Sequence, residues 1–225
     1  MGFFIPNSLP LKHLDWMRFI HHIGEANRQV ALFDGLLQGM PNPTVLLSPL
    51  TTEEAVFSSK IEGTQVTLQE VLEFEANPRK TKDKYDEIQE VLNYRNAMRY
   101  AMNKMNELPL SGKLIRKVHE ILLQGVRGQN RDIGQFRTGQ VHIGKSKSVE
   151  EASFIPPIAK DIPEYFSNLE KYFHFDEKDK LVQLAIIHAQ FELIHPFWDG
   201  NGRLGRILMP LFLYYKEILS TPMFY

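Results

Sequence analysis

Between Leu181 and Ile194 the chain reads Leu-Val-Gln-Leu-Ala-Ile-Ile-His-Ala-Gln-Phe-Glu-Leu-Ile and then meets His195-Pro196. A helix apolar on nearly all sides must be packed on nearly all sides. Pro196 lacks an N–H and forbids that helix from continuing. The pattern therefore predicts a central buried helix over about 179–193, with the other elements arranged around it. A last helix starts near Gly202 and runs to about 217. Asp199-Gly200-Asn201-Gly202 between them is a tight turn whose glycines allow positive φ and close backbone approach.

The rest of the chain also reads as helices punctuated by Pro and Gly. Trp16, Phe19, Ile20, Ile23, Ala26, Val30 and Phe33 recur at three- and four-residue steps, which predicts a helix over about 14–37. Pro41-Asn42-Pro43 ends it. Thr51-Thr52-Glu53-Glu54 looks like a cap and acidic first turn of a helix over about 51–62, with Gly63 as its stop. Thr67 opens a short helix through Phe74, and Asn77 to Lys84 reads as a polar, basic loop. Helices follow over about 83–106 and after Ser111-Gly112, the second carrying Leu114, Ile115, Val118, Ile121 and Leu122. From 126 to 158 glycines accumulate, and Val141-His142-Ile143 is the one β-like alternation. This predicts an extended loop or small hairpin closed by Phe154-Ile155-Pro156-Pro157. A further helix is expected over about 159–174. The fold class is all-α with one short β element, divided into a helical region over 1–110 and a core over 111–225.

Composition removes several function classes. The 225 residues include no cysteine, so disulfides, thiolate zinc sites and a Cys nucleophile are out, as fits a reducing compartment. Lys plus Arg number 26 against 27 Asp plus Glu, a balance unsuited to coating nucleic acid or anionic membranes. No apolar run reaches the roughly 18–20 residues of a membrane span. The N-terminus lacks a basic stretch followed by an apolar core. A soluble cytoplasmic protein is expected. His188 and Glu192 stand four apart and imitate two metal ligands, but no third follows at a suitable spacing, so zinc is not expected. Trp198 reads as wall packing beside the turn.

The chemistry concentrates in His195-Pro-Phe-Trp-Asp-Gly-Asn-Gly-Arg-Leu-Gly-Arg206. A helix N-terminus behind a glycine turn offers free N–H donors, a positive dipole end and no Cβ in the way, which makes an anion cradle. Arg203 and Arg206, three apart, project near one face and present planar forks to phosphate oxygens. Two arginines beside a cradle point to a polyphosphate. Asp199 is a hard oxygen ligand, and Mg²⁺ needs only one or two protein carboxylates when phosphates and water complete its shell. His195 is the one base of the stretch that titrates near neutrality. The set reads as nucleotide phosphates held by Gly200, Asn201, Gly202, Arg203, Leu204, Gly205 and Arg206, Mg²⁺ at Asp199, and His195 as general base.

The stretch resembles the signature of the Fic family, His-x-Phe-x-Asp/Glu-Gly-Asn-Gly-Arg-x-x-Arg. His195, Phe197, Asp199, Gly200, Asn201, Gly202, Arg203 and Arg206 meet all its specified positions. His188 to Ile194, Leu208 to Leu211 and Gly134 to Gly144 also resemble the family, and the likeness runs from about residue 50 onward. It implies a Fic-type helical core with a short β-hairpin flap and an N-terminal helical extension. It also implies transfer of AMP from ATP to a Ser, Thr or Tyr hydroxyl of a target protein. His195 would deprotonate that hydroxyl and Phe197 would pack the loop into the core. Asp199 would hold Mg²⁺ on the α- and β-phosphates. Gly200, Asn201 and Gly202 would form the anion hole, with Arg203 and Arg206 on the β- and γ-phosphates.

Ser58-Ser59-Lys60-Ile61-Glu62-Gly63 resembles the family's inhibitory motif, Ser/Thr-x-x-x-Glu-Gly/Asn, in its N-terminal placement. The resemblance implies that Glu62 occupies Arg206 and misplaces the ATP phosphates. Displacing this buried carboxylate–Arg pair is expected to cost roughly 3–5 kcal/mol. In some relatives this Glu also orients a water for the reverse reaction, deAMPylation. Gln140, Val141, His142 and Ile143 match the flap that would dock a target segment by strand addition. Family members often form dimers that bury the inhibitory helix. Many continue into a C-terminal winged-helix module; this chain stops soon after its last core helix, so nucleic acid is not an expected partner. The alternative, from another class, is a nucleotide-sensing interaction module that binds ATP without transfer.

Overall fold

The computed structural model describes residues 2–41, 43–78, 84–128, 131–144 and 151–221. Among these residues eight helices run in the order α1 Ile20–Gln38, α2 Pro43–Ile61, α3 Leu68–Ala76, α4 Tyr85–Met105, α5 Gly112–Leu122, α6 Ile162–Phe173, α7 Lys180–Ile194 and α8 Asn201–Tyr215. Short 3-10 turns at 16–18 and 159–161 precede α1 and α6. No sheet forms among the described residues. The all-α expectation therefore stands, and the expected hairpin is reduced to one antiparallel bridge between Ile143 and Phe154. Residues 145–150, within the segment expected to form that hairpin, lie outside the described residues, as do 79–83 of the expected basic loop.

Local chemistry sets most element ends. Thr67 and Glu70 form a reciprocal capping box on α3, Ser111 caps α5 through the Leu114 N–H, and Asp179 caps α7 through the Val182 N–H. These side chains satisfy donors that a helix start leaves free. Gly63, at φ +99°, ends α2. Its N–H bonds to Lys60 O and the Thr64 N–H to Ser59 O, the paired arrangement that a left-handed residue just past a helix makes. This leaves Glu62 as the last residue of the helix rim.

Two element readings need correction. α2 begins at Pro43 rather than near Thr51, and carries Pro49 inside it. Pro at a first helical position has its φ already set and no N–H to lose. The Thr51 hydroxyl bonds back to Leu47 O at 2.8 Å, so the Thr-Thr-Glu-Glu run is helix interior and not a cap. α7 is less enclosed than its composition suggests. Ala185 and Ala189 are exposed, while Gln183, Ile187, Gln190, Phe191 and Ile194 face inward. The two glutamines are buried because backbone carbonyls accept from them: Tyr172 and Phe175 for Gln183, Asn7 for Gln190. The deeper helix is α8, with Leu204, Ile207, Leu208, Leu211, Phe212 and Leu213 all buried. One hydrophobic core joins Ala55 and Val56 of α2, Ile88 to Ala101 of α4, α5, α6, α7 and α8. It brings the end of α2 against the start of α8.

Candidate active site

The loop between α7 and α8 is held from several directions. His195 terminates α7 in the left-handed region, φ +48° and ψ +62°, with its N–H on Phe191 O. That conformation is uncommon for a residue with a side chain and needs fixing from outside. Arg137 provides it. This guanidinium is 2% exposed and donates to three carbonyls: His195 at 2.8 Å, Gly139 at 2.8 Å and Pro157 at 2.7 Å. Phe197 is fully buried and stacks on the His119 ring at 3.9 Å. Asn201 closes the loop, its side-chain oxygen accepting from Phe197 N–H and its amide donating to Phe197 O.

His119 fixes the loop's other half. Its Nδ1 accepts from Gly134 N–H, which assigns the proton to Nε2, and Nε2 donates to Asp199 O at 2.9 Å. Gly200 then turns through φ +75°, and a Cβ there would lie 3.4 Å from Leu123 and 3.5 Å from His119. The first N–H with an acceptor inside α8 is that of Leu204, on Gly200 O. The N–H groups ahead of it form the positive end of the helix.

An anionic group already stands at that end. The Glu62 carboxylate lies directly against the Gly202 Cα, where any side chain would collide with it. Its Oε1 accepts from Arg206 at 2.7 Å, and Arg206 also donates to the Ser58 hydroxyl at 2.7 Å and the Ser58 carbonyl at 3.0 Å. Ser58 is buried. Glu62 and Arg206 keep 35% and 20% side-chain exposure, however. An ion pair this open is by itself worth about 1 kcal/mol or less, since water screens it. The cost expected of a buried pair does not apply to it.

Several residues of the signature sit differently from the sequence expectation. Arg203 does not share Arg206's exposed face: it is fully buried, 3.4 Å from Glu90 Oε2 and 3.6 Å from Asp199 Oδ1. None of its nitrogens makes a hydrogen bond among the described residues, so it keeps its donor capacity while two carboxylates balance its charge. The Asn201 amide is consumed by Phe197, leaving only backbone to face an anion. Leu204 is core, and Gly205 gives room to the Glu192 carboxylate of α7, so neither faces the cradle through a side chain.

Asp199 accepts from Gly200 N–H at 2.6 Å and is a third exposed. Its other oxygen faces Gly128, where a Cβ would stand 2.9 Å from it. Among the described residues no three His, Asp or Glu side chains cluster to hold a metal. The donor set is one open carboxylate, which suits a Mg²⁺ arriving with phosphates and water and does not suit a metal caged by protein alone.

Burial, and second the Arg137 charge, push the His195 imidazole down to about 4. Burial also takes His119 to about 4. Both rings are neutral at physiological pH, as a proton acceptor must be. The flap residues Gln140 to Ile143 lead away from this point. Gln140 donates to Val141 O and Pro156 O, and the half-buried Trp198 indole packs against Gly139. Sequence reading passed over Arg137, His119 and Glu90. Arg137 lies inside the Gly134–Gly144 stretch, and Glu90 interrupts the apolar face of Ile88, Val91 and Tyr94, which were signals. His119 merely continues an apolar stripe from Ile115.

Residues 20–103 match the family model described as Fic/DOC family N-terminal, and residues 109–213 the one described as Fic/DOC family. A probable protein adenylyltransferase of Aquifex aeolicus is 30% identical over 181 residues, 78% of this chain and 51% of that protein. The protein adenylyltransferase Fic of Drosophila mojavensis is 30% identical over 128 residues, 55% of this chain and 24% of that one. The chain thus spans about half and a quarter of those relatives. Among solved structures, a Fic family protein from Desulfovibrio desulfuricans is similar at TM-score 0.66 and 25% identity, covering 94% of this chain and 61% of that chain. Fic-1 from C. elegans shares the fold at TM-score 0.68 and 18% identity, over 89% of this chain and 58% of its own.

Proposed function

Because this chain belongs to the Fic/DOC family, we propose that it is a protein adenylyltransferase held in check by its own α2. The observation that carries the reading is the Glu62 carboxylate, bound by Arg206 at the N-terminus of α8. An arginine that holds one oxyanion of its own chain beside a helix N-terminus can hold those of a triphosphate there. The names of the relatives support ATP as the nucleotide and a protein as the acceptor.

In this reading residues 111–225 act as the catalytic core and the segment before them carries the brake. The α8 N-terminus, Arg203 and Arg206 hold the phosphates and stabilise the charge that develops on them. His195, neutral and fixed by Arg137, takes the proton of the attacking hydroxyl. The hydroxyl oxygen bonds to the α-phosphorus, the bond to the β-phosphate bridge breaks, and pyrophosphate leaves. Asp199 would hold Mg²⁺, which supplies neutralisation of phosphate charge when bound. Gln140 to Ile143 dock the target segment edge-on. Glu62 denies Arg206 to the phosphates, and the same carboxylate would orient water in a reverse, deAMPylating reaction.

The test is incubation of wild type, Glu62→Gly and Glu62→Gly/His195→Ala with α-labelled ATP and Mg²⁺, followed by intact-mass analysis. Wild type gives weak labelling, Glu62→Gly at least tenfold more, with a mass gain of one AMP, and the double variant none, since removing a general base costs about 10²–10⁴ in rate. Equal labelling by wild type and Glu62→Gly would remove autoinhibition. Labelling that survives loss of His195 would remove the base.

A further inference from the structure

The Glu62–Arg206 pair is too open to hold α2 in place alone, and the structure shows what backs it. Beyond Gly63 the chain does not leave the site; it runs onto α4. The Thr64 hydroxyl donates to Glu90 Oε2 at 2.9 Å, with both groups buried. The Gln65 N–H bonds to Glu87 Oε2 at 2.5 Å, one turn earlier on α4, and Val66 is fully buried. From the other side Arg127 reaches the Glu62 carbonyl at 3.3 Å and Glu90 Oε1 at 3.8 Å. Glu90 therefore faces Thr64, Arg127 and Arg203, and its Oε2 is shared by the Thr64 hydroxyl and the Arg203 guanidinium.

We propose that Glu90, Thr64 and Arg127 form a latch that seats the inhibitory carboxylate from behind, with Glu90 as the positioning residue joining that seat to the phosphate-side arginine. This deepens, and rests on, the autoinhibited reading above. Glu62 is the rim residue of α2, so its place over Gly202 is set by the two residues that follow it and by whatever holds its own carbonyl. A buried carboxylate needs partners to remain charged. Glu90 finds two in Arg203 of α8 and Arg127 of the turn after α5, and a third, Thr64, on the segment that must move. When Glu62 yields to a phosphate, the Thr64 and Arg127 contacts to that segment are what must break. Arg203 is then left as the main partner of Glu90 Oε2. Because it holds every N–H free for hydrogen bonding, it can turn to the incoming oxygens without losing its counter-charge.

The experiment measures AMP transfer in Thr64→Val, Thr64→Ser and Arg127→Gln, each in the wild-type and the Glu62→Gly backgrounds, with thermal melting to verify folding. Thr64→Val is near-isosteric and Arg127 lies on the surface, so both fold. In the wild-type background each raises transfer by about tenfold, the loss of one charge-assisted hydrogen bond. Thr64→Ser keeps the hydroxyl and stays inhibited. In the Glu62→Gly background Thr64→Val and Arg127→Gln add nothing, because the latch acts only through Glu62. Activation of Glu62→Gly with no gain from Thr64→Val or Arg127→Gln overturns the latch and leaves the autoinhibited reading intact. Equal gains in both backgrounds also overturn it, since the residues would then act on the catalytic loop directly. If Glu62→Gly itself gains nothing, the autoinhibited reading falls and the latch with it.

Discussion

At the scale of single residues the glycines of the cradle are the sharpest constraint. Gly202 has an ordinary helical φ, so its value is space and not backbone freedom. The Glu62 carboxylate fills that space, and a phosphate oxygen would need the same volume. Gly202→Ala therefore has a two-sided outcome that separates it from Glu62→Gly. The methyl expels the inhibitory carboxylate but also fills the cradle, so the variant is freed and disabled together. Its affinity for ATP should fall by at least about tenfold by titration calorimetry, one lost charge-assisted contact. Introduced into Glu62→Gly, it should abolish labelling, while the helix itself gains slightly from Ala over Gly. A double variant as active as Glu62→Gly would show that the phosphates lie elsewhere.

At the scale of elements, three pieces distant in sequence meet on Arg137: the end of α7 at His195, the base of the flap at Gly139, and the 154–157 segment at Pro157. All its acceptors are neutral carbonyls, and burial lowers its own pKa to about 10, so it remains charged at neutral pH. Arg137→Gln leaves buried carbonyls unsatisfied, at about 1–3 kcal/mol each. Two such losses predict destabilisation of about 2–6 kcal/mol in urea unfolding. Arg137→Lys should lose nearly as much, because one ammonium cannot span the three acceptors of a planar fork. A loss under about 1 kcal/mol would show that the three segments hold together without it. The helix ends at Gly63 and Thr67 were readable because capping chemistry is local. The start of α2 was not, since Thr51 and its neighbours look alike as cap and as interior until Pro43 is known to start the helix. The inward face of α7 was hidden by its uniform apolarity, which gives no period to read.

At the scale of the whole molecule, the site was legible where it is contiguous, from His195 to Arg206, and at Glu62, whose motif is local to one helix end. It was illegible where other elements supply the support. His119 on α5, Arg137 before the flap and Glu90 on α4 are joined to the loop only by the fold. The same fold couples titration to stability in opposing directions. His119 and His195 are held neutral down to about pH 4, whereas in the unfolded chain they take protons near pH 6.5. The unfolded state thus binds more protons between about pH 6.5 and 4, and stability falls as pH falls through that window. Glu54 does the reverse. Burial, against a hydrogen bond from Tyr94, raises its carboxyl to about 7. The folded state keeps a proton that the unfolded chain loses above about pH 4.5, so stability falls as pH rises from there to about 7. Glu54→Gln removes only the second effect, and a Gln oxygen can still accept from Tyr94. The stability of Glu54→Gln relative to wild type should therefore grow between pH 5 and pH 7, by up to about 3 kcal/mol, and level off above. On the acid side both proteins should lose stability together. A difference between them that stays constant from pH 5 to 8 in urea unfolding would mean that Glu54 titrates alike in both states, and that α2 sits more loosely on α4 than this packing requires.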